Sequence, residues 1–186
     1  MNLPPSGWLG YTYLFSEIGL SIFKRAKRTG GEDRGSAALL WLTISFSIAL
    51  ALFVRAKTPW ANLPAVHDLR LLWLMLFIAA LGLRWWSIVH LGRFFTVNVA
   101  VAADQVVIDD GPYRWVRHPS YTGALLAFLA YALYLAHWTS ILIVMVPISI
   151  AFARRISVEE AALSAGLGEP YRAYMRRTKR LVPFVL

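Results

Sequence analysis

The sequence predicts an all-α, polytopic membrane protein with about five transmembrane helices, two of them paired as a short helical hairpin. Three observations carry that expectation. The chain of 186 residues is 58% hydrophobic, with a mean hydropathy of +0.54. Only 16% of its residues are charged, against about 25% in an ordinary soluble domain, so it has too little polar surface to fold in water alone. Its 19 Lys and Arg against 10 Asp and Glu cluster between apolar segments, as basic cytoplasmic loops do. The length fits a single domain over residues 1–186.

The elements follow in order. Residues 7–23, GWLGYTYLFSEIGLSIF, make a first and rather polar span. The preceding MNLPPSGWLG has no basic n-region and Glu17 interrupts the apolar run, so a cleaved signal peptide is not expected. Residues 36–54, SAALLWLTISFSIALALFV, are uncharged, and about 20 apolar residues suffice to cross the hydrocarbon core. Residues 69–91 make a third span with Arg84 inside it. A charge within a span is usually paired or functional. Arg84 is near enough to the basic end to snorkel, and pairing with Glu17 is the other account. Residues 122–153 are too long for one ordinary span; split at His137-Trp138-Thr139-Ser140 they give two short helices, a tight hairpin not reaching fully across. No internal repeat or low-complexity linker is present.

Orientation follows from charge. Residues 24–35, 92–121 and 154–186 together hold 15 Lys and Arg, while the opposite side holds Arg55, Lys57 and Arg70. The positive-inside bias then puts the N-terminus outside and the C-terminus in the cytoplasm. A compact chain of this kind is expected in a prokaryotic inner (cell) membrane. The absence of cysteine excludes disulfides, thiolate metal sites and cysteine nucleophiles. No metal site is expected, and no nucleic-acid partner either, because topology accounts for the basic residues.

The densest polar chemistry is DDGPYRWVRHPSYTG, residues 109–123, between two apolar segments. Gly111-Pro112 is turn chemistry, and Pro119 suits the first position of a helix. His118 then stands at the N-cap, and the N–H groups of Ser120 and Tyr121 face whatever precedes the helix, a ready anion site. Arg114 and Arg117 add positive charge, while Tyr113, Trp115 and Tyr121 offer flat surfaces for an aromatic ligand. The plainer reading is a juxtamembrane loop with Arg, Trp and Tyr at the interface. A second constellation is RRISVEE, residues 154–160, where Arg155 and Glu159 share a helix face. They make either a structural ion pair or two separate contacts, Glu159 for an ammonium and Arg155 for an anion. Glu160 points elsewhere, toward solvent or backbone. Tyr171 and Tyr174 are spaced as one helical face, and the basic residues after them suit anionic lipid headgroups.

Taken together, LGRFFTVNV, GPYRWVRHPSYTG, RRISVEEAALSAGLGEPYRAY and RLVPF resemble the isoprenylcysteine carboxyl methyltransferase family, grouped with the phospholipid methyltransferases of membranes. The resemblance covers residues 69–186, the family-like catalytic core; residues 1–68 match only as N-terminal membrane helices. It implies an integral membrane enzyme that transfers a methyl group from S-adenosylmethionine, held in a cytoplasmic pocket. The implied cofactor-binding residues are Gln105, Val106, Val107, Ile108, Tyr113, His118, Pro119, Ser120, Tyr121 and Glu159. Arg155 matches the family arginine beside the acceptor carboxylate and is the implied catalytic residue. Gln105 stands where many members have His, and Ala100 falls near a position that is often polar. In this reading the methionine carboxylate meets the helix start at Pro119, its ammonium meets Glu159, and the adenine lies against Tyr113 or Trp115. His118 serves as a contact at the helix start rather than as a base.

The implied partner is a lipidic or isoprenylated acceptor, small molecule or peptide, presented among membrane lipids. A carboxylate acceptor is expected, with the amine of a phospholipid headgroup as the alternative. Two further classes compete. An NADPH-dependent membrane reductase shares an Arg-His-Pro-x-Tyr stretch but is normally much longer. A non-catalytic lipid-binding protein on the same fold has no need of Glu159.

Overall fold

The computed structural model describes residues 6–23, 35–96, 101–102 and 104–183. Among these, all regular structure is helical: α1 (Ser6–Phe23), α2 (Ser36–Lys57), α3 (Pro64–Asp68), α4 (Arg70–Leu91), α5 (Pro119–Leu135), α6 (Trp138–Leu167) and α7 (Glu169–Arg177). The expected all-α class holds. The basic segment 24–34 and Ala100 lie outside the described residues.

Local chemistry sets the helix ends. Pro119 opens α5 where a missing N–H costs nothing. The α5–α6 turn passes through Ala136, a non-glycine residue at φ +50°. His137 then caps α6, its Nδ1 accepting the Ser140 N–H at 3.2 Å. Its other nitrogen lies 2.9 Å from the Thr58 carbonyl, so the fully buried ring ties the hairpin turn to the end of α2. Gly168, at φ +62°, separates α6 from α7.

The hairpin differs from expectation in one half. Helix α5 has 17 residues, about 26 Å of rise, and falls short of the ~30 Å hydrocarbon core. Helix α6 is not short: it runs unbroken for 30 residues, through Pro147 and on into RRISVEE. At about 45 Å it outreaches the bilayer core, so its last turns carry Arg155, Glu159 and Glu160 toward the interface. The apolar run stops near residue 153, but nothing in ARRISVEEAAL breaks a helix, so the backbone continues where the hydropathy does not. Among the described residues, three helical segments are long and apolar enough to cross a membrane: Ser36–Lys57, Arg70–Phe94 and Trp138–Leu167.

Helix α4 packs along α5, α2 along α6, and α5 along α6. Within lipid, helices gain little from hydrophobic burial and associate by close packing of small residues. Ala124, Ala127, Ala130 and Ala132 of α5 are accordingly buried, with Phe77, Phe128, Val144, Ile148 and Phe152 filling the spaces between helices. Gly123 marks the closest approach: a Cβ there would lie 2.7 Å from both the Ala80 carbonyl oxygen and the Arg84 nitrogen.

Arg84 does not snorkel. It is 6% exposed, and its Nε and Nη2 donate to Glu17 at 2.6 and 2.8 Å, fixing α1 to α4. Its Nη1 also donates to the Ser120 carbonyl at 3.1 Å. A buried pair with both oxygens occupied is the alternative to a long exposed side chain, and Glu17 supplies it.

The two ends of the bundle are distinct. At one, the Leu63 N–H donates to the Ala136 carbonyl beside the His137 clasp. At the other, residues 116–118 lie against 179–180, the Arg117 N–H donating to the Lys179 carbonyl at 2.8 Å and the His118 N–H to the Arg180 carbonyl at 3.0 Å. The polar stretch and the basic C-terminal segment therefore share an end, as the charge count predicted.

Candidate active site

The second end carries a cleft built from three separated parts of the chain. Its floor is the start of α5. The Tyr121 and Thr122 N–H groups both donate to the His118 carbonyl at 3.0 Å. The expectation of free N–H groups at both Ser120 and Tyr121 is thus corrected for Tyr121, because the first turn tightens onto the His118 carbonyl. Gly111-Pro112-Tyr113 forms a short 3-10 turn against α4. Gly111 sits at φ +52°, and a Cβ there would lie 2.6 Å from the His90 ring. That ring bonds Asp110 Oδ1 at 2.7 Å and stacks on Tyr113. The His90 hydrogen bond holds the Asp110 carboxyl below the ordinary Asp range. Tyr113 is buried, with its hydroxyl donating to the Ser87 carbonyl, and burial pushes that hydroxyl's pKa upward.

The side wall is the end of α6. The Tyr121 hydroxyl donates to Glu159 Oε2 at 2.6 Å and accepts from Arg155 Nε at 3.1 Å. One phenol thus joins both charged side chains. Arg155 is 4% exposed and also donates to Ser36 Oγ at 2.9 Å, reaching α2. Glu159 is half-buried and lines the cleft.

Glu160 departs most from expectation. It is 4% exposed and accepts from Arg117 Nε at 2.8 Å and Arg180 Nη2 at 2.8 Å, with His118 Nε2 at 3.2 Å. Arg117 additionally donates to the Met175 and Thr178 carbonyls. This node fixes the His-Pro turn, the end of α6 and the returning C-terminal segment to one another. Sequence reasoning missed it because the partners lie 42 and 43 residues before it in sequence and 20 after. The basic cluster is also less available for lipid than expected: Arg176 pairs with Glu169, Arg177 with Asp109 and Arg180 with Glu160.

The cleft encloses about 810 Å³ of empty space, part of it open to solvent. Gln105, Val106, Val107, Ile108, Tyr113, His118, Ser120, Tyr121, Arg155 and Glu159 all line it. Pro119 is buried beneath it as the first residue of α5 and does not line it. Gln105 folds back on its own loop, its side-chain oxygen accepting the Ala102 N–H at 3.0 Å. Trp115 is 57% exposed, under Arg114, and is not a wall of the cleft, so of the three expected flat surfaces Tyr113 and Tyr121 line it and Trp115 does not. Leu163, Leu167, Tyr171 and Tyr174 also line the cleft. The Tyr171–Tyr174 spacing was the available signal; both are buried, and Tyr174 donates to the Tyr113 carbonyl at 2.6 Å.

A second cavity of about 520 Å³ adjoins the first. Phe95, Thr96, Tyr121 and Arg155 border both. Its other walls include Leu40, Trp41, Ile44 and Phe152, with the Glu17–Arg84 pair at one side. A cleft open to solvent and a largely apolar cavity between the helices therefore meet at the Tyr121–Arg155 contact. Among the described residues no cluster of His, Asp and Glu suits a metal ion.

The arrangement has relatives. The model of the isoprenylcysteine carboxyl methyltransferase (ICMT) family matches residues 73–165. The protein-S-isoprenylcysteine O-methyltransferase B of Arabidopsis thaliana is 30% identical over 152 residues, covering 77% of each chain. The protein-S-isoprenylcysteine O-methyltransferase of Schizosaccharomyces pombe is 31% identical over 105 residues, 55% of this chain but 44% of the yeast protein. A solved structure of the eukaryotic intramembrane Ras methyltransferase ICMT superposes with a TM-score of 0.64 at 26% identity, covering 78% of this chain and 52% of that one. The chain thus spans about half the length of two of these relatives. The matched segment contains both the His-Pro turn and the Glu159–Tyr121–Arg155 contact, and it folds as the solved relative folds. The chain is an integral membrane protein of the isoprenylcysteine carboxyl methyltransferase family.

Proposed function

We propose that this chain transfers a methyl group from S-adenosylmethionine to the carboxylate of a lipidic, isoprenylcysteine-like acceptor at the membrane–cytoplasm boundary. One observation carries the reading: Tyr121 joins Glu159 and Arg155 at the seam of a polar cleft and an apolar cavity. The polar cleft fits a nucleoside bearing an amino-acid tail. Glu159 offers a half-buried carboxylate for an ammonium, the Ser120 N–H a donor for a carboxylate, and Tyr113 with Val106 and Ile108 the apolar surface for a base. The apolar cavity fits a lipid chain.

When bound, S-adenosylmethionine supplies a methyl group on a sulfonium, an electrophile that an ionised carboxylate oxygen attacks directly. Such an acceptor is ionised at neutral pH, so no residue has to remove a proton. Arg155 orients the acceptor from the seam, and orientation with water exclusion provides much of the rate. His118, engaged with Glu160, holds the helix start. Methylation of a phospholipid amine would need a base, and His118 so held is poorly disposed to be one. We read residues 1–186 as one catalytic domain, with N-terminus outside and the cleft in the cytoplasm of a cell membrane.

The test is calorimetric binding of S-adenosylmethionine to the purified protein in detergent, with NADPH as competitor, followed by methyl transfer to a farnesylcysteine analogue. Binding indifferent to NADPH, and product that yields methanol on base hydrolysis as a methyl ester does, is the expected result. NADPH binding in place of S-adenosylmethionine would overturn the reading in favour of a reductase. Methyl transfer to phosphatidylethanolamine alone would overturn the acceptor.

A further inference from the structure

Helix α2 reaches the seam of the two cavities through a contact that its own stability does not call for. The Ser36 hydroxyl accepts from Arg155 Nη1 at 2.9 Å, and the two residues are 3% and 4% exposed. Ser36 is the first residue of α2, and Gly35 before it stands at the N-cap with φ +70° and no side-chain capping bond. Serine stabilises a helix start best from the N-cap itself, where its oxygen accepts from N–H groups of the first turn. Here the serine lies one residue inside, and its oxygen is turned to a guanidinium. Cations are favoured at helix C-termini rather than N-termini, so the contact is also set against the dipole of α2.

The other partner accounts for it. Arg155 Nε donates to the Tyr121 hydroxyl of α5 at 3.1 Å, while Nη1 donates to Ser36 of α2. Two edges of one planar group are thus held by the two helices that α6 packs along. A guanidinium grips a carboxylate through its planar fork, so the grip depends on where that plane points. A single hydrogen bond leaves the plane free to swing about it; a second bond from a different helix does not. Helix α2 also serves only one of the two spaces. Its Ala37, Leu40, Trp41 and Ile44, spaced as one helical face, line the apolar cavity. Among the described residues none from α2 lines the solvent-open cleft. The whole of α2 lies outside residues 73–165, the segment the family model matches.

We propose that Ser36 is a positioning residue for acceptor recognition: it fixes the guanidinium plane of Arg155 toward a carboxylate whose lipid chain lies along the same helix, against Leu40, Trp41 and Ile44. The inference rests on the methyl-transfer reading and adds to it. Acceptor affinity, unlike cofactor affinity, depends on a helix that the family-matched segment does not include.

Steady-state methylation of a farnesylcysteine analogue, with calorimetric titration of S-adenosylhomocysteine, tests this on Ser36→Ala, Ser36→Thr and Ser47→Ala. Ser36→Ala should raise the acceptor KM by roughly 10-fold or more, the scale of one charged hydrogen bond. Its affinity for S-adenosylhomocysteine should stay near that of the wild type. Ser36→Thr keeps the hydroxyl and should restore the acceptor KM. Ser47 is as deeply buried on α2 but lines neither cavity, so Ser47→Ala should match the wild type in both constants. If Ser36→Ala does not fold, Ser36→Cys offers a weaker acceptor in nearly the same volume and should raise KM by a smaller factor. A wild-type acceptor KM in whichever of these two variants folds would overturn the proposal. So would failure of threonine to restore KM, or an equal loss of S-adenosylhomocysteine affinity, which a general disturbance of the fold produces. A wild type that binds S-adenosylhomocysteine and methylates no carboxylate would overturn the methyl-transfer reading itself, and this inference with it.

Discussion

Adjacent glutamates at 159 and 160 are expected to fail in opposite ways when replaced by alanine. Glu160 is 4% exposed and meets Arg117, whose side chain is 8% exposed, together with His118 at 4%. Removing one member of a buried charged pair costs about 3–5 kcal/mol, because the remaining charge is left without its partner. The contact to Arg180 adds little, since that side chain is half exposed. At about 2–4 °C per kcal/mol for a chain of this length, Glu160→Ala should lower the melting temperature by about 6–20 °C. Glu159 is half-buried, and the contact that positions it is the Tyr121 hydroxyl. Losing that bond to a carboxylate costs about 1.5–3 kcal/mol, a shift of about 3–12 °C that is smaller than the one expected for Glu160→Ala. Its loss should appear above all in binding: a charged hydrogen bond to an ammonium is worth about 1.5–3 kcal/mol, or roughly 10- to 150-fold in Kd. Differential scanning fluorimetry and calorimetric titration with S-adenosylmethionine, on both variants in the same detergent, read the two quantities. Equal losses of melting temperature would refute the division of labour between the two residues. So would wild-type affinity in Glu159→Ala.

Three further outcomes follow from the geometry. Gly123→Ala places a methyl group 2.7 Å from the backbone of α4, so the helices must separate; overpacking of this kind costs about 1–3 kcal/mol, and unchanged melting would show that α4 and α5 are less closely packed. A double-mutant cycle on Glu17→Gln and Arg84→Met should give a combined loss well below the sum of the single losses, since each single change strands a buried partner; additive losses would show the pair to be uncoupled. The His90 bond lowers the Asp110 pKa, so its contribution is present above the unfolded value near ~3.9 and disappears as pH falls through the lower, folded value. The melting difference between wild type and Asp110→Asn should therefore be steady at neutral pH and vanish in acid. A difference that grew on acidification would contradict the assigned bond.

What was legible in the sequence was whatever depends on near neighbours. Helix starts at Ser36 and Pro119, a hairpin split placed at residues 137–140, beside the observed turn at Ala136 and His137, and the sharing of one end by residues 109–123 and 176–180 all follow from hydropathy, proline placement and charge counting. Arg155 and Glu159 could be placed on one face because they belong to one helix. What was not legible required knowing which helices touch. Pairing of Arg84 with Glu17 was one of two accounts, and choosing it over snorkelling required knowing that residues 67 apart in sequence touch. Glu160 read as solvated because its partners belong to segments that meet only after the chain returns. Helix α6 read as short because the apolar run ends before the helix does: hydropathy reports the bilayer boundary, whereas helix propensity and the Gly168 stop set the backbone. Trp115 read as a pocket wall because an aromatic residue in a polar loop carries no sign of the direction it faces.

The return of the C-terminal segment onto the His-Pro turn also has a meaning in time. Arg117 and the Thr178 carbonyl it contacts are 61 residues apart. At synthesis rates of about 5–20 residues per second, roughly 3–12 s separate their appearance. During that interval α5 and α6 emerge and can pack with α4, while Arg117 and His118 still lack the segment that covers them. The cleft thus closes only after residue 178 has emerged, and a ribosome stalled before it holds a helical bundle whose site is still open.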